Sequence, residues 1–259
     1  MERNEIKEAN RKAMPGFLLL ALVGAIVGGI VGFYSAEYDV EQLAGSMKSA
    51  GAFFSKYVSS WILLAIAVIT PIVVIPVYQK TKRLLLAWDG EDESICDIAE
   101  KKLNVILMIS SIVLICAFFL ISATYSGGFA MIEKHLNMYV LAIVTFLIIL
   151  AEGIIIQQKA VDINKIMYPE KTASVYDLKF QKKWVDSCDE AEKEIIYKSA
   201  YKTYIVLNKV IPILLLLTLI ANMFLNTGIL AVLVVAVIYL VTGMTYIRSS
   251  MVSKAKRIG

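Results

Sequence analysis

The sequence predicts an all-α integral membrane protein with six transmembrane helices and two cytoplasmic helical extensions, and three observations lead there. Of 259 residues, 58% are apolar, against roughly 45–50% in an ordinary soluble domain. The charged residues, 19% of the chain, are gathered in a few blocks between long apolar runs, as in a multi-pass membrane protein. The basic residues also divide unequally between alternate connections, which sets an orientation. A net charge of +4 and three scattered cysteines argue against a nucleic-acid-binding domain and a disulfide-stapled scaffold.

A bilayer core takes about 20 helical residues, and six segments supply them: 15–35, 57–78, 103–125, 137–157, 207–226 and 228–247. The first has an apolar run too long for a cleaved signal peptide and lacks a small-x-small exit. The second carries Pro71 and Pro76, and Pro212 stands near the start of the fifth; each frees backbone groups that a kink or a cavity must satisfy. The run from Val210 to Ile247 has no charge. As one helix it would reach about 57 Å, nearly twice the membrane, so Asn226-Thr227-Gly228 is read as a tight turn between two spans.

Of 26 lysines and arginines, 23 fall in the N-terminal arm, the links 79–102 and 158–209, and the C-terminal tail. Lys48, Lys56 and Lys134 are the three on the other side. Both termini are therefore expected in the cytoplasm. The chain reads as one six-helix domain over residues 1–259 with two cytoplasmic links.

The links resemble each other. Cys96-Asp97-Ile98-Ala99-Glu100-Lys101 and Cys188-Asp189-Glu190-Ala191-Glu192-Lys193 share C-D-x-A-E-K, preceded by Trp88 and Trp184, each following a basic pair. Both copies lead into a span, which suggests a degenerate parallel repeat of spans 2-3 and 4-5. Ser94-x-x-Asp97 and Ser187-x-x-Glu190 resemble capping boxes, with acids at the positive end of the helix dipole. Ile95, Ile98, Ala99, Leu103 and Ile106 share a helical face, as do Tyr197, Tyr201 and Tyr204, so interfacial helices are expected, with Trp88 and Trp184 as belt anchors. The competing reading is a partner-docking surface built on Trp88, Asp97, Glu100, Trp184, Asp189 and Glu192.

The stretch from Lys165 to Tyr204 is similar to the signature region of a family of uncharacterised multi-pass membrane proteins of Gram-positive bacteria, a domain of unknown function. The Tyr168-Pro169-Glu170-Lys171 element and the block from Lys179 to Lys193 carry the resemblance. It implies a bacterial plasma-membrane protein and assigns no catalytic residue.

Glu152 is the acidic residue well inside a span. It reads either as a proton or cation site or as a structural residue snorkelling to the interface. Gly24, Gly28 and Gly32 recur every four residues and make a smooth face for helix packing, within the chain or in a homo-oligomer. Asp89, Glu91, Asp92, Glu93 and Asp97 have the acidic character of the Mg²⁺-diphosphate sites of membrane transferases, but full aspartate-rich motifs are absent and a solvated helix start accounts for them better. Cys96 and Cys188 lack a nearby histidine and make a poor zinc site. His135, the single histidine, reads as a surface residue. No zinc-protease, serine-hydrolase or P-loop motif is present, and no cofactor is implied.

The expectation is thus a non-enzymatic accessory, sensory or immunity-like membrane component that binds a cytoplasmic or membrane protein through its links. A small-solute or ion transporter coupled through Glu152 is the alternative.

Overall fold

Apolar segments in lipid must satisfy every backbone polar group internally, and helices do so. The computed structural model describes residues 14–16, 18–19, 22–26, 29, 33, 40–88, 91–125, 135–171, 173–225 and 227–258. Part of the predicted first span, including Gly28 and Gly32, lies outside the described residues, as do Asp89 and Asn226. The helices are α1 (Val40–Phe53), a π-helical turn (Phe54–Val58), α2 (Ser59–Leu86), α3 (Glu93–Tyr125), α4 (Leu136–Met167), α5 (Phe180–Asp186), α6 (Glu190–Leu225) and α7 (Leu230–Ile258). Among the described residues, five helical segments are long and apolar enough to cross a membrane: Ser59–Leu86, Ser94–Tyr125, Leu136–Met167, Glu190–Met223 and Leu230–Ser249.

The chain divides into two units, residues 48–204 and residues 1–47 with 205–259. In the first, α2, α3 and α4 pack as an up-down-up bundle. One core cluster joins Leu63, Ala117, Leu120, Ala142 and Ile149. At the opposite end a second joins Leu85, Ala99, Leu103, Ala160, Ile163 and Met167. The bundle buries small side chains, including Ala67, Ala117, Ala142 and Thr145, and turns Ile72, Ile115 and Phe119 outward. That distribution suits helices in lipid, where close backbone approach takes over from apolar burial. Around the first cluster the Ser59 hydroxyl donates to the Ser55 carbonyl at 2.8 Å, and the Ser60 hydroxyl donates to the Met138 carbonyl at 3.1 Å. In the other unit Gly228, at φ +84°, adopts the left-handed conformation that glycine tolerates. It lies between the end of α6 and the start of α7, at the position of the predicted turn. Leu233, Val237 and Leu240 of α7 are exposed apolar side chains.

The helices outrun the apolar segments that predict them. α2 continues to Leu86 and α4 to Met167, so the first link is largely helix of the bundle and the second begins as a continuation of α4. α3 and α6 run unbroken from the links into apolar sequence. The connection after the first predicted span is also largely helical, because α1 and the π-helical turn occupy residues 40–58.

Both expected capping boxes are displaced. In the first link the Ser94 amide donates to Asp92 Oδ1 at 2.9 Å, so Asp92 caps α3 in place of Ser94. In the second the Glu192 amide donates to Asp189 Oδ1 at 2.7 Å, and the Asp189 amide donates to Glu192 Oε2 at 3.1 Å. This reciprocal pair is a capping box, set two residues later than predicted. The Ser187 hydroxyl instead donates to the Trp184 carbonyl at 2.8 Å.

Candidate functional site

The two links meet at the end of the bundle marked by Leu85, Ala99 and Ile163. After α4 the chain turns back along it, because Gln158 on α4 anchors the returning stretch of coil. Gln158 Oε1 accepts the Val175 amide at 2.8 Å and the Ser174 hydroxyl at 3.1 Å, while Gln158 Nε2 donates to Asp162 at 2.7 Å. This return carries Tyr168 and Lys171 between the two C-D-x-A-E-K copies.

Lys171 is 2% exposed. Its ammonium pairs with the Glu192 carboxylate, donates to Cys188 Sγ at 3.2 Å and to the Ser187 carbonyl at 3.4 Å, and lies 5.5 Å from the Trp184 ring centroid and 5.9 Å from that of Tyr168. A buried cation needs this density of partners. Burial pulls the Lys171 ammonium toward deprotonation, but the hydrogen bonds to Glu192 and Cys188 outweigh it and hold its pKa above the ordinary lysine value. Tyr168 reaches the other copy: its hydroxyl donates to Glu100 Oε1 at 2.6 Å. That bond, reinforced by burial, keeps the phenol protonated well above its usual range.

Glu100, Trp184 and Glu192 are thereby brought together, and Asp189 completes the set by capping α6. Trp88 and Asp97 are not part of it. The Trp88 indole donates to the Asp92 carbonyl at 3.0 Å, and Asp97 is exposed. The two cysteines differ as well: Cys188 touches Lys171, whereas Cys96 packs beside Leu85 and Ala99. Ala99, Leu103 and Ile106 are buried in the bundle, where the sequence predicts an interfacial face, and Ile98 turns outward. Among the described residues no three histidine, cysteine or acidic side chains converge as a metal site, so the Mg²⁺ reading finds no support there.

Glu152 lies in α4, and its Oε2 is buried without a hydrogen-bond partner among the described residues. The adjacent Gly153 is the glycine of this bundle that permits close approach, since a Cβ there would come within 2.9 Å of the Leu114 side chain. Gly24 meets nothing within 4 Å. Lys171 stands out in the sequence only as the end of the Tyr168–Lys171 element, and Gln158 and Gly153 do not stand out at all. Lysine and glutamine in a polar link carry no periodic signal, and an isolated glycine in a span shows no stripe.

The family described as "Protein of unknown function (DUF3169)" matches residues 9–250. No curated protein and no solved structure matches the chain.

Proposed function

We propose, for a chain that belongs to this family of unknown function, a six-span bacterial plasma-membrane protein with cytoplasmic termini, acting as a non-enzymatic accessory, sensory or immunity-like component. Its two links form one cytoplasmic module that engages a partner protein. The supporting observation is the Lys171 junction, which ties Glu192 of one link to Glu100 of the other through Tyr168. Such a network gives a link of some 50 residues a defined shape, and a defined shape is what docking requires. The junction uses Glu100, Trp184 and Glu192 internally, which leaves Asp97, Trp88 and the exposed Tyr176 and Leu178 as contact residues. The two C-D-x-A-E-K copies, as halves of a parallel repeat, would then have diverged into a bundle-packed and a junction-forming helix start.

Capture of the tagged full chain from native membranes, followed by quantitative mass spectrometry, tests this reading. A stoichiometric protein retained by the native chain, and reduced at least tenfold by Leu178→Asp at equal expression, is the expected result. Retention unchanged in the variant, or no retained protein, contradicts it. Size-exclusion of the same material reads the accompanying proposal that Gly24, Gly28 and Gly32 form a homo-oligomer seam, which Gly24→Leu should split.

Glu152 favours a second reading. A carboxylate oxygen inside a span with no hydrogen-bond partner among the described residues is costly to maintain, and such groups mark ion pathways in membrane proteins. On that reading the protein carries a small solute or ion, and Glu152→Gln abolishes the pH dependence of uptake into proteoliposomes. An unaltered pH profile retires it.

A further inference from the structure

The junction borders an open cavity of about 270 Å³, lined by Glu100 and Asn104 of α3, Asn164 of α4, Tyr168, Trp184 and Glu192, with Ile195 and Ile196 beside them. All of it lies within the unit of residues 48–204. A water occupies roughly 30 Å³, so the space accepts a headgroup-sized ligand.

Its walls are short of positive charge. Two carboxylates face it, and Lys171, pairing with Glu192, is the buried cation beside them. Glu100 Oε1 takes the Tyr168 hydroxyl and Glu192 Oε2 takes Lys171 and the Asp189 amide. The second oxygen of each carboxylate has no partner among the described residues. Asn164 Oδ1 is also buried without a hydrogen bond. The site therefore offers three acceptors, an excess negative charge and an apolar flank.

We infer that this cavity binds a primary ammonium group, supplied by a phosphatidylethanolamine headgroup or by a small free amine. The chain's own Lys171 shows that these walls hold such a group, with Glu192 and the Trp184 and Tyr168 rings around it. Three N–H donors match the three open acceptors. A quaternary ammonium has no donor and depends on aromatic faces, which Lys171 already occupies. A divalent cation would want more oxygen ligands than two carboxylates and an amide provide, and no three-residue metal cluster is found among the described residues. Both sources reach the cavity: Glu100 and Asn104 flank the start of the predicted third span and Asn164 lies beyond the predicted fourth, at headgroup depth. The inference does not rest on partner docking, because the purified chain suffices to test it.

The experiment is calorimetric titration of ethanolamine and choline into the full chain in phosphatidylcholine nanodiscs, with melting measured in parallel discs containing phosphatidylethanolamine. Saturable ethanolamine binding, at least tenfold weaker for choline and at least tenfold weaker in Glu100→Gln and Asn164→Leu, is expected for a free amine. A melting rise in phosphatidylethanolamine discs that both variants lose, with no ethanolamine signal, supports the site with the lipid as source. No response to either ligand overturns the inference, as does an equal response in the native chain and the variants. Should Glu100→Gln fail to fold, Asn164→Leu decides, because the Asn164 side chain makes no hydrogen bond among the described residues.

Discussion

Lys171 concentrates the energetics of the links at one atom. Its ammonium serves a carboxylate, a thiol, a carbonyl and two aromatic rings, while its aliphatic stem is buried. Removing one partner of a buried pair typically costs about 3–5 kcal/mol; Glu192 is 34% exposed on its side chain and can turn to water, so Lys171→Met should cost about 3 kcal/mol or somewhat less. The folded lysine has a pKa above its ordinary value. Its contribution is therefore complete below the unfolded value, roughly 10.4, and declines as pH rises through the higher folded value. Denaturation at neutral pH should separate native and variant proteins, and the gap should narrow at strongly alkaline pH; a gap that is constant or absent contradicts the role. The sequence marks Lys171 as part of a family-like element but gives no sign that it is a hub. Its partners lie 17 and 21 positions away in sequence, a separation no local pattern encodes.

The helices are legible in the sequence because apolar runs of span length admit little else, and their starts can be located within a few residues. The identity of the caps is not legible. Serine and aspartate are comparable N-caps, and each link offers a serine close to the aspartate that does the capping. In the second link Ser187 and Cys188 are needed for the turn that closes α5, with the Ser187 amide donating to the Lys183 carbonyl at 3.1 Å and the Cys188 amide to the Val185 carbonyl at 3.1 Å. The helix can start only afterwards, at Asp189. The same Glu192 that completes the capping box holds Lys171, so helix initiation and junction are one structure. Asp189→Ala should lower stability by about 1–2 kcal/mol, the upper part of the capping range, and weaken the Lys171 pair with it. Ser187→Ala, by contrast, should leave the start of α6 intact; hydrogen exchange at the first amides of α6 distinguishes the two. The same lesson holds for Gly153. A stripe of three glycines draws attention in a sequence, but the glycine that the bundle needs stands alone, opposite Leu114.

At the scale of the whole molecule, composition alone identifies a membrane protein, and the five apolar helices among the described residues agree. What composition cannot supply is that the links fold onto each other. That contact also carries a topological consequence. The first link precedes α3 and the second follows α4, so Tyr168 can reach Glu100 only when both links emerge on one side of the membrane. The proposed orientation, argued from charge alone, likewise requires both links on one side. The central claim is therefore a single cytoplasmic module made of two links, and impermeant thiol labelling of intact and permeabilised cells tests it most directly. In a background with Cys96, Cys116 and Cys188 replaced by serine, Lys80→Cys and Lys179→Cys should label only after permeabilisation, and Lys134→Cys should label in intact cells. Labelling of the two links from opposite sides would make the junction impossible and contradict the account.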